Sequence, residues 1–203
     1  RGAPALHRVY GMERALNAGN WMYFWPAAIV SEANLGAELE LETYRRMHRT
    51  LLRCHYGQAL DLSLRIGDLT QGEIPGAVRS TTRLKTSSLL EFAAELGALA
   101  AGAPAETVDA LGRFGSDLGA GLQMLDDLSG VAGGKRREKA REDMEQGRPT
   151  WVWAWAAERL SPAVFGPLQD EARRIETGRE CIEALRTALA GHVSSHGRRA
   201  ARA

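Results

Sequence analysis

Long stretches of this chain repeat apolar residues at intervals of three and four, and glycine and proline punctuate the short stretches between them. That pattern predicts amphipathic helices joined by turns. Residues 1–11 contain Gly2, Pro4 and Gly11 and read as a loop. A helix is expected from about Met12 to Ser31, carrying Trp21, Tyr23, Phe24 and Trp25. Trp21 and Trp25 share a face at i, i+4; core packing is expected for them, with a wall for an apolar or cationic ligand as the alternative. From Gly36 to about Gly67, Tyr44, Met47, Leu51, Tyr56, Leu60 and Leu64 recur at helical spacing, with Gln58 and Asp61 one turn apart. Such a polar pair usually faces solvent. Asp68 to Gly76 is a turn-rich link, and a further helix is expected over Ala77–Ala101. There Arg83, Lys85 and Thr86 precede the apolar run Leu89, Leu90 and Phe92. A lysine and a threonine so placed can bind phosphate, one as a point charge and one as a hydroxyl; a lysine whose stem snorkels along apolar surface is the plainer reading.

Gly102 and Pro104 break the chain before its most distinctive helix, Phe114 to Asp127. Gly115, Gly119, Gln123 and Asp127 stack on one face at i, i+4 spacing, with Asp126 alongside. The two glycines admit a close neighbour. Adjacent aspartates late in an apolar helix are costly unless a cation neutralises them, and a hard divalent ion such as Mg²⁺ takes oxygen ligands of this kind. A solvated helix end is the alternative. Leu128 to Gly134 reads as a flexible exit, and Lys135 to Glu145 as a solvated charged surface or a basic flap over an anionic ligand. After Gln146–Thr150 come a helix with Trp151, Trp153 and Trp155 and two shorter helices near Pro162–Glu176 and Arg179–His192, while Gly197–Ala203 is expected to fray. No strand pattern or internal repeat is present, so the fold class is all-α.

At 203 residues the chain fits one domain, 1–203. A net charge of +1 gives no reason to expect nucleic acid. Cys54 and Cys181 form neither a disulfide framework nor a zinc spacing, so a reducing cytoplasm is the default. No apolar run is long enough to span a membrane, and the first residues are not a signal peptide. The chain opens on Arg1 rather than Met, and an incomplete N-terminus is expected.

Five segments, in order, resemble the trans-isoprenyl diphosphate synthases, or polyprenyl synthetases. Arg1-Gly2-Ala3-Pro4-Ala5-Leu6-His7 is similar to the second half of the family's arginine-arginine-glycine-x-proline-x-x-histidine segment. Gly57-Gln58-Ala59-Leu60-Asp61 looks like its GQxxD, Lys85-Thr86 like its lysine-threonine pair, and Phe114–Asp127 like the helix of its second aspartate-rich motif. Gly147-Arg148-Pro149-Thr150 looks like its GKPT with arginine for lysine. The resemblance implies an antiparallel helical bundle around a deep apolar cavity, with two aspartate-rich walls holding Mg²⁺ on an allylic diphosphate. It implies condensation of that diphosphate with isopentenyl diphosphate after ionisation, by a homodimer. Carried over, Asp126 and Asp127 are metal carboxylates; Lys85 and Gln123 contact the allylic diphosphate, and Thr86 sits near the reacting carbon. Arg1 holds the second diphosphate, with His7 in the same segment. Gln58 and Asp61 line or brace the cavity.

Three departures accompany the likeness. The first aspartate-rich motif would lie just before Arg1. Gly130 stands where the second motif would close with an aspartate. The run Lys135–Glu145 replaces a glycine-lysine flap, leaving Lys139, about one position out of register, and Lys135 as candidate diphosphate contacts. Two other functions therefore stand beside chain elongation: a terpene cyclase or a prenyltransferase to another acceptor, favoured by Gly130 and the five tryptophans, and a non-catalytic subunit of a heteromeric synthase.

Overall fold

The computed structural model describes residues 3–132, 137–176 and 182–201. Arg1, Lys135, Cys181 and the Gly133–Gly134 exit lie outside the described residues. The elements are α1 (Leu6–Tyr10), α2 (Met12–Glu32), α3 (Ala37–Ser63), a 3₁₀ turn (Ile66–Asp68), α4 (Ile74–Thr82), a π turn (Arg83–Ser87), α5 (Ser88–Ala100), α6 (Ala105–Val131), α7 (Arg137–Glu145), α8 (Trp151–Arg159), α9 (Pro162–Glu176) and α10 (Ile182–Ala200). Among the described residues there is no strand, and no helix is long and apolar enough to cross a membrane. The expected N-terminal loop instead contains the short helix α1, which ends where Gly11 turns to φ 89°. The single helix expected over Ala77–Ala101 is interrupted by the π turn.

The contacts group into two compact units, Arg1–His48 and Arg49–Ala203, divided within α3. In the first unit, Tyr44 Oη donates to Ala27 O at 3.0 Å and fastens α3 to α2. The Trp21 and Trp25 rings lie 4.6 Å apart, yet they are 54% and 48% exposed, and no residue of α2 is buried. This corrects the expectation of core packing. Five consecutive large side chains, Trp21 to Trp25, point to every side of the helix, so a single packing face cannot bury them all.

In the second unit the core forms around α8, whose residues Trp151–Ala157 are all buried. A helix apolar on every side requires neighbours on every side. α4 supplies Ile74 and Val78, α6 supplies Leu128 and Val131, and α9 and α10 supply Phe165, Leu185, Leu189 and Val193. Trp155 presses on α10 at Gly197, where a Cβ would come within 2.5 Å of the indole. That seat explains why α10 persists to Ala200 instead of fraying from Gly197. Buried Gln169 donates to Ile66 O and Leu69 O, each at 2.7 Å, and Ile66 N donates to Gly147 O at 2.7 Å, fixing the approach to α8.

α5 and α6 form an antiparallel hairpin across residues 101–104. Glycines on α6 set its closeness: a Cβ on Gly115 would lie 2.4 Å from Leu90 O, and one on Gly119 would lie 2.7 Å from Ser87 Cα. On the other side of the same segment, a Cβ on Gly57 of α3 would lie 2.8 Å from Lys85 N. Bare backbone therefore holds the π turn from two directions.

Candidate functional site

The π turn carries Lys85 and Thr86. Such turns are rare and re-aim the side chains they hold. Here they send adjacent residues to different helices. Lys85 Nζ lies 2.6 Å from Asp61 Oδ2 on α3, and Thr86 Oγ1 donates to Gln123 Oε1 on α6 at 2.9 Å. Gln123 Nε2 then donates to Asp127 Oδ1 at 2.8 Å, one turn on. Asp127 Oδ2 accepts the backbone N–H of Trp151 at 2.9 Å, and Trp151 Nε1 donates to Thr82 Oγ1 at 2.9 Å. The circuit returns to the chain just before the π turn.

Trp151 N is one of the orphan donors that open a helix. Thr150 provides no side-chain cap to α8, so the Asp127 carboxylate takes that place from another helix, where the N-terminal dipole favours its charge. Burial nonetheless pushes the Asp127 carboxyl up to about 6, against the opposing pull of the Trp151 and Gln123 N–H groups and of Lys139. Asp143 on α7 is buried and also raised by desolvation, with Lys139 and Arg148 pulling it back. Arg148 Nη1 stands 3.3 Å from Asp143 Oδ1, and Arg148 N donates to Asp143 O at 2.8 Å.

These groups wall an open cleft of about 650 Å³, which Asp61, Lys85, Thr86, Gln123, Asp127, Lys139, Asp143, Arg148 and Thr150 line together with Thr81 and Thr82. A second, much narrower cleft shares Asp127, Lys139, Asp143, Arg148 and Thr150 and adds Asp126, Gly130 and Trp153. Thr81 Oγ1 is buried and has no hydrogen-bond partner among the described residues. Among those residues, no group of three or more histidines, cysteines and acids is gathered closely enough to hold a metal by itself.

The structure thus brings together Lys85, Thr86, Gln123, Asp126, Asp127, Asp61 and Lys139 from the sequence-derived set. Gln58, half-buried one turn before Asp61, lines neither cleft. His7 is exposed on α1 in the first unit, and Arg1 lies outside the described residues. Asp143, Thr81 and Thr82 were not anticipated. The charged run read as solvated surface or flap is, from Arg137, the helix α7 with a buried stripe, Ala140, Asp143 and Met144, leading to Gly147. Its i, i+3, i+4, i+7 spacing was the available signal, masked by the density of charge around it. Three of the five tryptophans that favour a cyclase, Trp151, Trp153 and Trp155, are buried in the core.

Fold and cleft define an all-helical protein with cations, hydroxyls and acids around one polar hollow. The chain belongs to the polyprenyl synthetase family, whose pattern matches residues 1–189. It is 29% identical over 164 residues to a geranylfarnesyl diphosphate synthase from Aeropyrum pernix, covering 78% of this chain and 51% of that one. A geranylgeranyl diphosphate synthase from Methanosarcina mazei is 30% identical over 189 residues, covering 89% and 57%. The chain spans about half the length of the curated relatives it matches. The crystal structure of a polyprenyl synthetase from Streptomyces coelicolor superposes with a TM-score of 0.80 at 23% identity, covering 97% of this chain and 59% of that one, which shows the shared fold.

Proposed function

We propose that this protein is a Mg²⁺-dependent prenyltransferase that joins an allylic diphosphate to isopentenyl diphosphate. The observation that carries the reading is the convergence of Lys85, Thr86, Gln123, Lys139 and Arg148 on one cleft beside an acid pair. The relatives named as geranylfarnesyl and geranylgeranyl diphosphate synthases support the substrate class.

In this reading the C–O bond of the allylic diphosphate breaks, and the diphosphate leaves with the electron pair. The double bond of isopentenyl diphosphate forms the new C–C bond, and the resulting cation gives up a proton to the departed diphosphate as the new double bond forms. Lys85 exchanges its Asp61 partner for diphosphate oxygen, and its compact ammonium needs no fixed fork geometry to do so. Lys139 and Arg148 add positive charge to the same cleft, where negative charge grows as the bond breaks. Thr86 is held on the same cleft by its hydroxyl's bond to Gln123, which leaves the oxygen's lone pairs for the substrate. The donor set fits a magnesium ion attached through a single protein carboxylate, Asp126, because such an ion takes its remaining ligands from water and phosphate. When bound, the ion supplies Lewis-acid charge to the leaving diphosphate. A homodimer and a cytoplasmic location belong to the same proposal.

The test is to incubate the full-length protein with Mg²⁺ and dimethylallyl, geranyl or farnesyl diphosphate, with and without isopentenyl diphosphate. Longer diphosphates formed only with isopentenyl diphosphate are expected. A hydrocarbon or alcohol released from the allylic substrate alone would establish a cyclase instead, and turnover only after a partner chain is added would establish a subunit role.

A further inference from the structure

We infer that Asp127 is a positioning residue and not a magnesium ligand: it sets which way round the Gln123 amide faces Thr86, and it ties the first turn of α8 to α6. The inference builds on the proposed function and divides the work of the two adjacent acids.

Each Asp127 oxygen already has a donor, Gln123 Nε2 at 2.8 Å on Oδ1 and Trp151 N at 2.9 Å on Oδ2. The second is a backbone group at a helix N-terminus, so it cannot turn away, and its positive dipole points at Oδ2, while Oδ1 opens to a cation only if Gln123 Nε2 is displaced. A magnesium ion demands near-ideal octahedral geometry at short range, and here it would contest Oδ2 with a fixed positive group. Asp126, the preceding residue on the same helix, lines the smaller cleft beside Asp127 and takes no part in the bonds to Gln123 and Trp151.

The carboxylate also settles the polarity of its neighbour. Ionised, it only accepts, so it must face the NH₂ side of Gln123. The Gln123 carbonyl is thereby turned to Thr86, and the Thr86 hydroxyl must spend its proton on Gln123 Oε1. Its lone pairs remain for the cleft. Replacing Asp127 by Asn reverses this order. The Asn carbonyl must serve Trp151 N, its NH₂ then faces Gln123, and the Gln123 amide flips to present its own NH₂ to Thr86. Lys85 precedes Thr86 in the π turn, so the disturbance is delivered where the diphosphate is proposed to sit.

The test compares Asp127→Asn, Asp126→Asn and Gln123→Ala. Mn²⁺ binding is read by electron paramagnetic resonance, the Gln123 side-chain amide by ¹⁵N-glutamine NMR of the metal-free protein, and kcat and KM by turnover. Asp127→Asn is expected to hold Mn²⁺ affinity within about twofold, to shift the Gln123 amide resonances, and to lower kcat by at least about tenfold; Asp126→Asn is expected to weaken Mn²⁺ binding by at least about tenfold. In the Gln123→Ala background, Asp127→Asn should cost little more, the non-additivity of residues acting as one unit. An Asp127→Asn protein that loses Mn²⁺ as Asp126→Asn does, or that leaves the Gln123 amide unmoved, overturns the inference. If wild type transfers no prenyl group, the Mn²⁺ and NMR readouts still decide it. Should Asp127→Asn not fold, a crystal of wild type with Mn²⁺ and inorganic pyrophosphate decides: the ion bonded to an Asp127 oxygen overturns the inference, and the ion on Asp126 with both Asp127 hydrogen bonds kept supports it.

Discussion

Gly119→Ala tests whether the site depends on backbone meeting backbone. The new Cβ would sit 2.7 Å from Ser87 Cα and 3.2 Å from both Ser87 N and Thr86 O. Carbon atoms settle at about 3.5–4.0 Å, so α6 and the π turn must part by roughly 1 Å. Overpacking of this kind costs about 1–3 kcal/mol. Alanine recovers about 1 kcal/mol of helix propensity over glycine, leaving a net loss of up to about 2 kcal/mol. For a chain of this length, each kcal/mol moves the melting temperature by about 2–4 °C. The shift passes directly to Thr86, whose hydroxyl stands 2.9 Å from Gln123 Oε1 one helical turn along α6. A further ångström takes it beyond hydrogen-bond range, and misplacement on that scale can cost about a hundredfold in rate. Gly97→Ala on α5 is the control, because a Cβ there meets nothing within 4 Å and should stabilise by up to about 1 kcal/mol. Thermal melts of both ligand-free variants, followed by turnover, make the comparison. If Gly119→Ala melts at or above Gly97→Ala, the close approach is not a constraint and the reasoning fails.

Three further outcomes are expected. Asp126→Ala should reduce prenyl transfer by at least about a hundredfold, in the range for losing one preorganised electrostatic group; near-normal turnover would remove it from the metal's neighbourhood. Because burial raises the Asp127 carboxyl from 3.8 to about 6, the folded chain binds a proton there more tightly than the unfolded one. Its contribution to stability therefore grows as pH falls from about 6 toward 3.8 and is lost as pH rises through about 6. Urea melts at pH 4.5 and pH 7 should show this increment in wild type and not in Asp127→Asn, and equal pH dependence in the two would refute it. Thr81→Val removes a buried hydroxyl with no partner among the described residues, so it should leave stability unchanged or raise it by about 1 kcal/mol; a clear loss in a thermal melt would show that the hydroxyl is satisfied in solution.

The helices were legible because their apolar spacing is long and regular, and the glycine stack on α6 announced a close neighbour. Three things were not. The π turn leaves no trace in a pattern read at one period, so Lys85 and Thr86 appeared on a continuous helix when they in fact diverge to α3 and α6. Asp143 was hidden among charges, because a buried acid resembles a solvated one until its neighbours at i−3 and i+1 are seen to be Ala140 and Met144. The link from Asp127 to Trp151 joins residues 24 positions apart through a backbone N–H, and a string of side chains cannot reveal a backbone partner. The run of large side chains on α2 shows the opposite error: four rings and a methionine suggest burial, but five such residues in succession exceed what one face can cover.

The π turn sits between Gly57 and Gly119, neither of which leaves room for a side chain. Evolution or engineering has no residue to vary at either flank without prising the helices apart. Any retuning of what this protein accepts falls to other residues that line the cleft with the turn, such as Thr81, Lys139 and Arg148, while the turn itself keeps its shape.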